Sequence, residues 1–509
     1  MKYVLDGKYE TNKNLAEFEM EVKEYIAQSE KKVINKYGVK GFKYDSTFNV
    51  KENCILVKIS AENVPAHQIF YRIKKELTNM LGRNLKIGVR TVKIDNIEIE
   101  FEIEKKVLHN ITIPFVKDIK FDENRCKIIL ENIDETFVIM NYIERIINRI
   151  KEKVDKQYYE GKEEFSEILW QSSPKIHAWN KNPTDEMIKL KWVERAPTKG
   201  KWFFRPQFVA IHNAMREIAI KELIQPLGFQ EVIESNFKSF DVWLKTGHLE
   251  GVPNEIYYFA EPKSRDPKLW EEFTDVVYIT HKVPIDLLKN LVSEPRGGIV
   301  YAQCPNIYWS FKNSVIPLND LPILIYENTV VSARYESGGR QGIERSDEFH
   351  RIEIVFIGTK KQLISLREKM IEKYKHIFNE ILDIEWAMSW VTPWYMQHAG
   401  LAGVEDIKEK IVGTIDFEAY LPYRGNREDK KSWLEFQNFT IAGNKFTKAF
   451  NIKTQTGELW SGCSGIGLER WAIVFLAQKG LDPKEWPDKF KEYLKELPKG
   501  FHFLGENNS

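Results

Sequence analysis

Cysteine is scarce in this chain. Four occur in 509 residues, at positions 54, 126, 304 and 463, with no close pair among them. That excludes a disulfide-stapled secreted scaffold and the usual zinc-finger spacings, and it predicts free thiols in a reducing compartment. Long apolar runs are missing as well. No stretch approaches the roughly 20 apolar residues a membrane-spanning helix needs, and the opening MKYVLDGKYE has no apolar signal core. The expectation is a cytoplasmic protein with no membrane partner. Charge of one sign is also lacking, since 75 Lys and Arg against 74 Asp and Glu leave a net charge of +1. Any surface for nucleic acid must therefore be local. No sustained heptad run appears in the first 165 residues, which excludes a long coiled-coil arm there.

What is present is the material of a large globular protein. With 43% hydrophobic and 29% charged residues, the chain is long enough for two or three domains. Residues 14–35 have the pattern of a charged amphipathic helix. The runs Cys54–Ser60 and Ile97–Glu104 alternate as strands do, and His67–Leu81 and Phe137–Lys156 carry helical spacing. In the last of these, Ile139, Tyr142, Ile143, Ile146 and Ile147 share one stripe. Residues 1–165 are thus predicted to form an α+β domain with antiparallel strands and helices to one side. Breaks at SSP, NP and AP mark 166–206 as a linker, and 207–509 forms the second domain. There a helix is expected from Gln207 to about Ile224, then a strand over Phe229–Ile233. Residues 386–425 carry Trp386, Trp390, Trp394 and a helical patch at Val404–Ile411.

The second domain is organised around Thr329–Thr359. Its two ends, Thr329–Tyr335 and Ile352–Gly358, have the pattern of strands. Between them lie Gly338, Gly339 and five charged residues from Arg340 to Glu348. Such a ribbon sets cations and carboxylates over one open face. Arginine suits phosphate because its planar fork binds two oxygens at once. A glutamate such as Glu336 only accepts hydrogen bonds, so it can read an exocyclic amine. A surface salt-bridge network of Arg334, Glu336 and Arg345 is the plainer alternative. Far downstream, Gly465-x-Gly467-x-x-Arg470 precedes a helix whose stripe is Leu468, Trp471 and Phe475. Read alone, it is either a tight packing turn or a place where Arg470 and Phe349 sandwich a flat ring.

Arg334-x-Glu336 with Arg345-x-x-x-Phe349 resembles motif 2 of the class II aminoacyl-tRNA synthetases, and GIGLER at Gly465–Arg470 resembles their motif 3. The wider text is RYESGGRQGIERSDEFHRIEIV, AQC at Ala302–Cys304 and ELWSGCSGIGLERW at Glu458–Trp471. It is similar to a narrower family, the zinc-dependent type-2 seryl-tRNA synthetases, from about Gln207 onward. The resemblance implies a class II catalytic domain, an antiparallel sheet flanked by helices, behind an N-terminal tRNA-binding domain. It implies that Arg334 holds the α-phosphate of ATP, Glu336 the adenine amine and Arg345 the γ-phosphate. Ser346, Phe349 and Arg470 complete the nucleotide site. Glu435, in LEFQN, matches the acid that holds the ATP-bound Mg2+. Cys304, Glu353 and Cys463 match the ligands of one Zn2+ per chain, whose open position takes the amino group of L-serine. Arg351, Trp394 and Asn438 line the serine pocket, and His398 stands where the family more often has an amide. The helix and strand after Gln207 correspond to motif 1, at the interface of a homodimer, although Glu234-Ser235 stands where the family's proline is expected; a buried amphipathic helix with no dimer role is the plainer alternative. Residues 386–425 lie where the family carries an insertion that covers the substrate.

The activity implied is activation of serine with ATP and transfer to tRNA(Ser). Two rivals stand beside it: an amino acid:carrier-protein ligase on the same catalytic domain, and a non-catalytic RNA-binding paralogue. Residues 1–165 speak against the first, and the intact site positions against the second. Within the N-terminal domain, Arg72, Lys74, Lys75, Arg83, Lys86, Arg90 and Lys93 fall in 22 residues holding a single acid, Glu76. The cluster is either a phosphate-tracking face or a solvated surface.

Overall fold

The computed structural model describes residues 1–37, 41–158, 165–336, 339–392 and 410–501. The chain divides into two units, Met1–Glu163 and Glu164–Ser509.

The first unit runs β1 (Lys2–Thr11), α1 (Glu19–Ile34), β2 (Lys43–Val50), β3 (Cys54–Glu62), α2 (Ala66–Met80), β4 (Val89–Glu102), β5 (Asp118–Asp122), β6 (Arg125–Ile133) and α3 (Tyr142–Lys156). The strands form a sheet in the order β2-β3-β1-β4-β6-β5, with every pair antiparallel. Strand β1 shows why it holds the centre. Tyr3, Leu5, Gly7 and Tyr9 are buried while Val4, Asp6 and Lys8 are partly exposed, the period-2 pattern of a sheet covered on one face. Val22 and Ile26 of α1, Ile69, Phe70 and Ile73 of α2, and Ile143, Ile147 and Ile150 of α3 supply the cover. The helix expected over Phe137–Lys156 is interrupted. A short turn at Glu135–Ile139 ends before α3, and Asn141 between them takes a left-handed φ of +54°, a conformation asparagine tolerates. Ile139 is consequently 67% exposed rather than part of the buried stripe.

The second unit is built on β7 (Phe165–Gln171), β8 (Gln230–Glu231), β9 (Ile323–Glu327), β10 (Val331–Ala333), β11 (Glu348–Gly358), β12 (Trp386–Thr392), β13 (Gly413–Tyr420), β14 (Trp433–Gly443) and β15 (Trp460–Gly467). They form one sheet in the order β8-β9-β11-β15-β14-β13-β12-β7, with β10 beside β11. Within this sheet the β8–β9 pair is parallel and the other described pairs are antiparallel. Three helices, α4 (Pro206–Ile218), α6 (Lys360–His376) and α7 (Leu468–Lys479), pack with Ile352, Ile354 and Phe356 of β11 in the main core. A further helix, α5 (Cys304–Ser310), packs with Val355 and Ile357, the alternate residues of the same strand. Helix α6 starts on a capping box: Gln362 N donates to Thr359 Oγ1, and Thr359 N donates to the Gln362 side chain.

Three expectations are corrected. Residues 166–206 are not a bare linker. They hold most of β7, which pairs with β12, then a helix at Pro183–Lys189 capped by Asn182 and a hairpin of Val193–Arg195 with Trp202–Phe204. The prolines there start and end short elements. Residues 386–392 and 413–420 are the sheet strands β12 and β13, with Trp386 and Trp390 buried, so the reading of 386–425 as one insertion fails at both ends. Residues 393–409 lie outside the described residues, and Trp394, His398 and most of the Val404–Ile411 patch lie there. Finally, the strand expected over Phe229–Ile233 is only Gln230–Glu231. Among the described residues, no helix is long and apolar enough to cross a membrane.

Candidate active site

Alternation along β11 separates core from chemistry. Ile352, Ile354 and Phe356 face the helices, so Phe349, Arg351 and Glu353 fall on the other face. Strand β15 runs antiparallel beside it, with Glu353 opposite Gly465 and Val355 opposite Cys463. The first turn of α5 brings Cys304. The two Sγ atoms and a Glu353 carboxylate oxygen then lie within 4.8 Å of one another. Cys304 is 6% exposed and Glu353 1%.

Burial in this cluster favours the protonated forms of Cys304 and Glu353. A hydrogen bond with Cys463, then burial, pushes the Cys304 thiol well above the usual range. Burial raises Glu353 against the opposing pull of Arg351. Arg351 Nε lies 2.9 Å from Glu353 Oε2, yet it is misaligned and leaves that buried oxygen without a hydrogen bond. Two soft sulfurs and an unsatisfied carboxylate oxygen are the donor set a zinc ion takes, three ligands with one position open. The residues therefore fit the ion.

Gly465 has a role that its sequence context does not show. It lies inside β15 rather than in a turn. A Cβ there would stand 2.1 Å from Arg351 Nη2 and 2.4 Å from its Nε. The missing side chain is the space in which the Arg351 guanidinium lies. Asn438, on β14, accepts at Oδ1 from Gly465 N at 3.2 Å, so the same short stretch is held from the other side.

The residues expected to bind the nucleotide gather around Arg334. Its Nη2 is 3.2 Å from Glu336 Oε2, and its guanidinium carbon lies 5.4 Å from the centre of the Phe349 ring. Arg470 extends from the first turn of α7. Its Nη1 donates to the Glu435 carbonyl at 2.7 Å and lies 3.5 Å from Glu435 Oε2, and its Nε donates to the Glu344 carbonyl at 3.2 Å. Arg470 thus ties β14 to the loop before β11, while the Glu435 side chain stays substantially exposed. Arg345 is anchored through its backbone, exchanging hydrogen bonds with Gln341. Ser346 is buried and donates its hydroxyl to the Glu348 carbonyl.

Several residues that hold this arrangement carried no sequence signal. Asp347 is fully buried and accepts from Arg340 Nε and Nη2 at 2.8 and 2.6 Å, from the Tyr257 hydroxyl at 2.6 Å and from Glu336 N at 3.1 Å. Burial would raise its carboxyl, but the Arg340 fork and the Tyr257 hydroxyl hold it below the usual range. Gln303 Nε2 donates to Glu327 Oε2 and to the carbonyls of Val330 and Arg351, fixing the start of α5 against β11. Lys238 is buried, with its ammonium 2.8 Å from Glu234 and 3.1 Å from the Gln303 carbonyl. Gln303 stands next to Cys304 in AQC, which is the one clue available. Lys238 and Asp347 show only as charged residues among many.

Residues 1–152 match a family described as a tRNA-binding domain. A type-2 serine–tRNA ligase of Methanococcoides burtonii is 42% identical over 99% of this chain and all of its own. Its counterpart in Methanothrix thermoacetophila is 43% identical over 88% of this chain and 89% of its own. Among solved structures, M. kandleri SerRS in complex with A. aeolicus tRNASec superposes with a TM-score of 0.82, at 25% identity and covering 99% of both chains. With relatives this similar along nearly its whole length, the chain belongs to the type-2 serine–tRNA ligases.

Proposed function

We propose that this chain activates L-serine with ATP and transfers it to tRNA(Ser), as a homodimer, with Mg2+ bound to the nucleotide and one zinc ion per chain. The observation that carries this reading is the buried Cys304–Glu353–Cys463 set beside Arg351, adjoining the Arg334–Glu336–Phe349 group on the same strand face. A zinc ion held by Cys304, Glu353 and Cys463 supplies an open coordination position for the amino group of serine.

The protein's own residues do the rest. The carboxylate of serine is already anionic at neutral pH, so no general base is needed. Its oxygen attacks the α-phosphorus, the bond to the β-phosphate oxygen breaks, and pyrophosphate leaves with that electron pair. Arg334 neutralises the charge that builds on the α-phosphate, and Arg345 holds the γ-phosphate. Glu336 accepts from the adenine amine, and Phe349 and Arg470 bracket the ring. In the second step a terminal ribose hydroxyl attacks the acyl carbon, its proton is lost, and AMP departs.

The tRNA-binding match of residues 1–152 favours a tRNA over a carrier protein as acceptor. Arg72, Lys75, Arg83, Lys86 and Arg90 are exposed along the end of α2, the turn after it and the start of β4, and they suit a phosphate-tracking face. Lys74 is paired with Glu135 at 3.4 Å, and Lys93 is 3.9 Å from Asp95. The test is ATP–pyrophosphate exchange across the amino acids. Serine should be activated well ahead of threonine, glycine and alanine, because a pocket that hydrogen-bonds the hydroxyl is left with unpaired polar groups by alanine. Exchange at equal rates with serine and threonine would refute the assignment.

A further inference from the structure

A second cluster lies on the opposite face of β11, outside the site described above. His350 faces the helices between Phe349 and Arg351. Glu469, in the first turn of α7, is 1% exposed, and His212 of α4 is 6% exposed. The Glu469 carboxylate accepts from His350 N with both oxygens, at 2.9 and 2.9 Å, and Oε1 is 2.6 Å from His350 Nδ1. His212 Nε2 is 3.7 Å from the same oxygen and takes no hydrogen bond. The His212 and His350 rings meet edge to face, with centroids 4.8 Å apart. The three donor atoms lie within 4.8 Å of one another, the spread of a cation site. The carboxylate, however, is already engaged by His350 through backbone and ring, so it acts as the acceptor of an ion pair.

The chain neighbours of this pair are the two groups that bracket adenine. Phe349 precedes His350 and Arg470 follows Glu469. We infer that Glu469 is a positioning residue that locks β11 to α7 and so sets Phe349 against Arg470, with the His350 imidazolium as its counter-charge, and that ATP binding weakens when this imidazolium loses its proton. The inference rests on the adenine-site reading given above.

The charges facing the pair support the assignment. Glu469 is the first cause that raises His350 above the ordinary imidazole value, with burial opposing it. Burial lowers His212 to about 4, so it stays neutral. Arg216, on α4, disfavours protonation of both rings, and Glu348, on β11, favours it at His350. Glu469 thus favours a proton on His350, 2.6 Å away, while His212 stays neutral. Because the folded value is raised, the pair is intact below the ordinary imidazole pKa of about 6.5 and is lost as pH rises through the folded value.

The experiment is the KM for ATP in serine-dependent pyrophosphate exchange between about pH 6 and pH 9, for the wild type, His350→Asn and Glu469→Gln. Asparagine keeps a neutral donor at the Nδ1 position and does not titrate. The wild-type KM, taken relative to that of His350→Asn at each pH, should rise about tenfold across the range as a charge-assisted hydrogen bond becomes a neutral one. Zinc content and kcat should change far less. Glu469→Gln removes the carboxylate while keeping an acceptor for His350 N. It should show a raised KM without the pH dependence, and it carries the same comparison if His350→Asn does not fold. Parallel profiles in an enzyme that activates serine would overturn this proposal alone. An absence of serine-dependent exchange in the wild type would overturn the reading of the site, and this proposal with it.

Discussion

Replacing Gly465 with alanine should damage serine use selectively. The backbone allows the change, since Gly465 is a strand residue with no positive φ. The added Cβ would stand 2.1 Å from Arg351 Nη2, 2.4 Å from Nε and 2.6 Å from Cζ, where contact distances begin near 3.5 Å. The guanidinium, the free end of a long side chain, must move by roughly 1 Å or more, and its 2.9 Å approach to Glu353 Oε2 cannot survive that. Interactions to charged groups contribute about 1.5–3 kcal/mol, so kcat/KM for serine should fall by roughly 10- to 100-fold. Fold stability should move by less than about 1 kcal/mol, because alanine in a strand recovers about 0.5–1 kcal/mol of backbone entropy relative to glycine. The assay is pyrophosphate exchange with serine and ATP varied separately, beside thermal unfolding. A double-mutant cycle completes it: once Arg351→Ala is present, Gly465→Ala should add little. Wild-type serine kinetics, or an equal loss for ATP and serine, would show that Arg351 does not depend on that space.

Metal analysis should find one zinc per chain, and Cys463→Ser should lose both the zinc and serine activation; full activity in metal-free protein would contradict the ligand set. Since the Cys304 thiol is pushed well above its ordinary range and a zinc ligand must be the thiolate, zinc uptake should release protons and tighten as pH rises, measurable by competition with a chelator. Neutralising Arg72, Lys75, Arg83 and Lys86 together should lower the salt slope of tRNA binding by up to about four and leave pyrophosphate exchange intact; normal charging by this variant would reduce the cluster to a solvated surface. Asp347→Asn removes the charge partner of Arg340 and loosens the loop before β11, so the KM for ATP should rise at least roughly tenfold, as expected when one member of a buried pair is lost, while zinc content stays at the wild-type level.

Local sequence determined a good deal of this protein. Period-2 alternation marked β3 and β4, and 3.6-residue spacing marked α2, because one face of each is buried and the other is not; β11 and α7 have largely apolar text because both are buried on nearly every side. The charged text from Arg334 to Phe349 and the GIGLER turn into α7 carried their chemistry in residue type and order. The three metal-site residues came from resemblance, as Cys304, Glu353 and Cys463 are too far apart in the chain for spacing to relate them. Pairing decided the rest. The register that sets Val355 opposite Cys463, and the packing of α5 on that face, bring the three donors together. The same register makes Gly465 a space for Arg351 rather than a turn. Asn141 broke a helix that periodicity alone continued, and strands β12 and β13 took residues that the family resemblance had assigned to an insertion. Asp347, Lys238 and the Glu469–His350 pair were invisible beforehand for one reason. A charged side chain has the same sequence appearance in water as in a core, and only the tertiary structure supplies the partner that makes its burial tolerable.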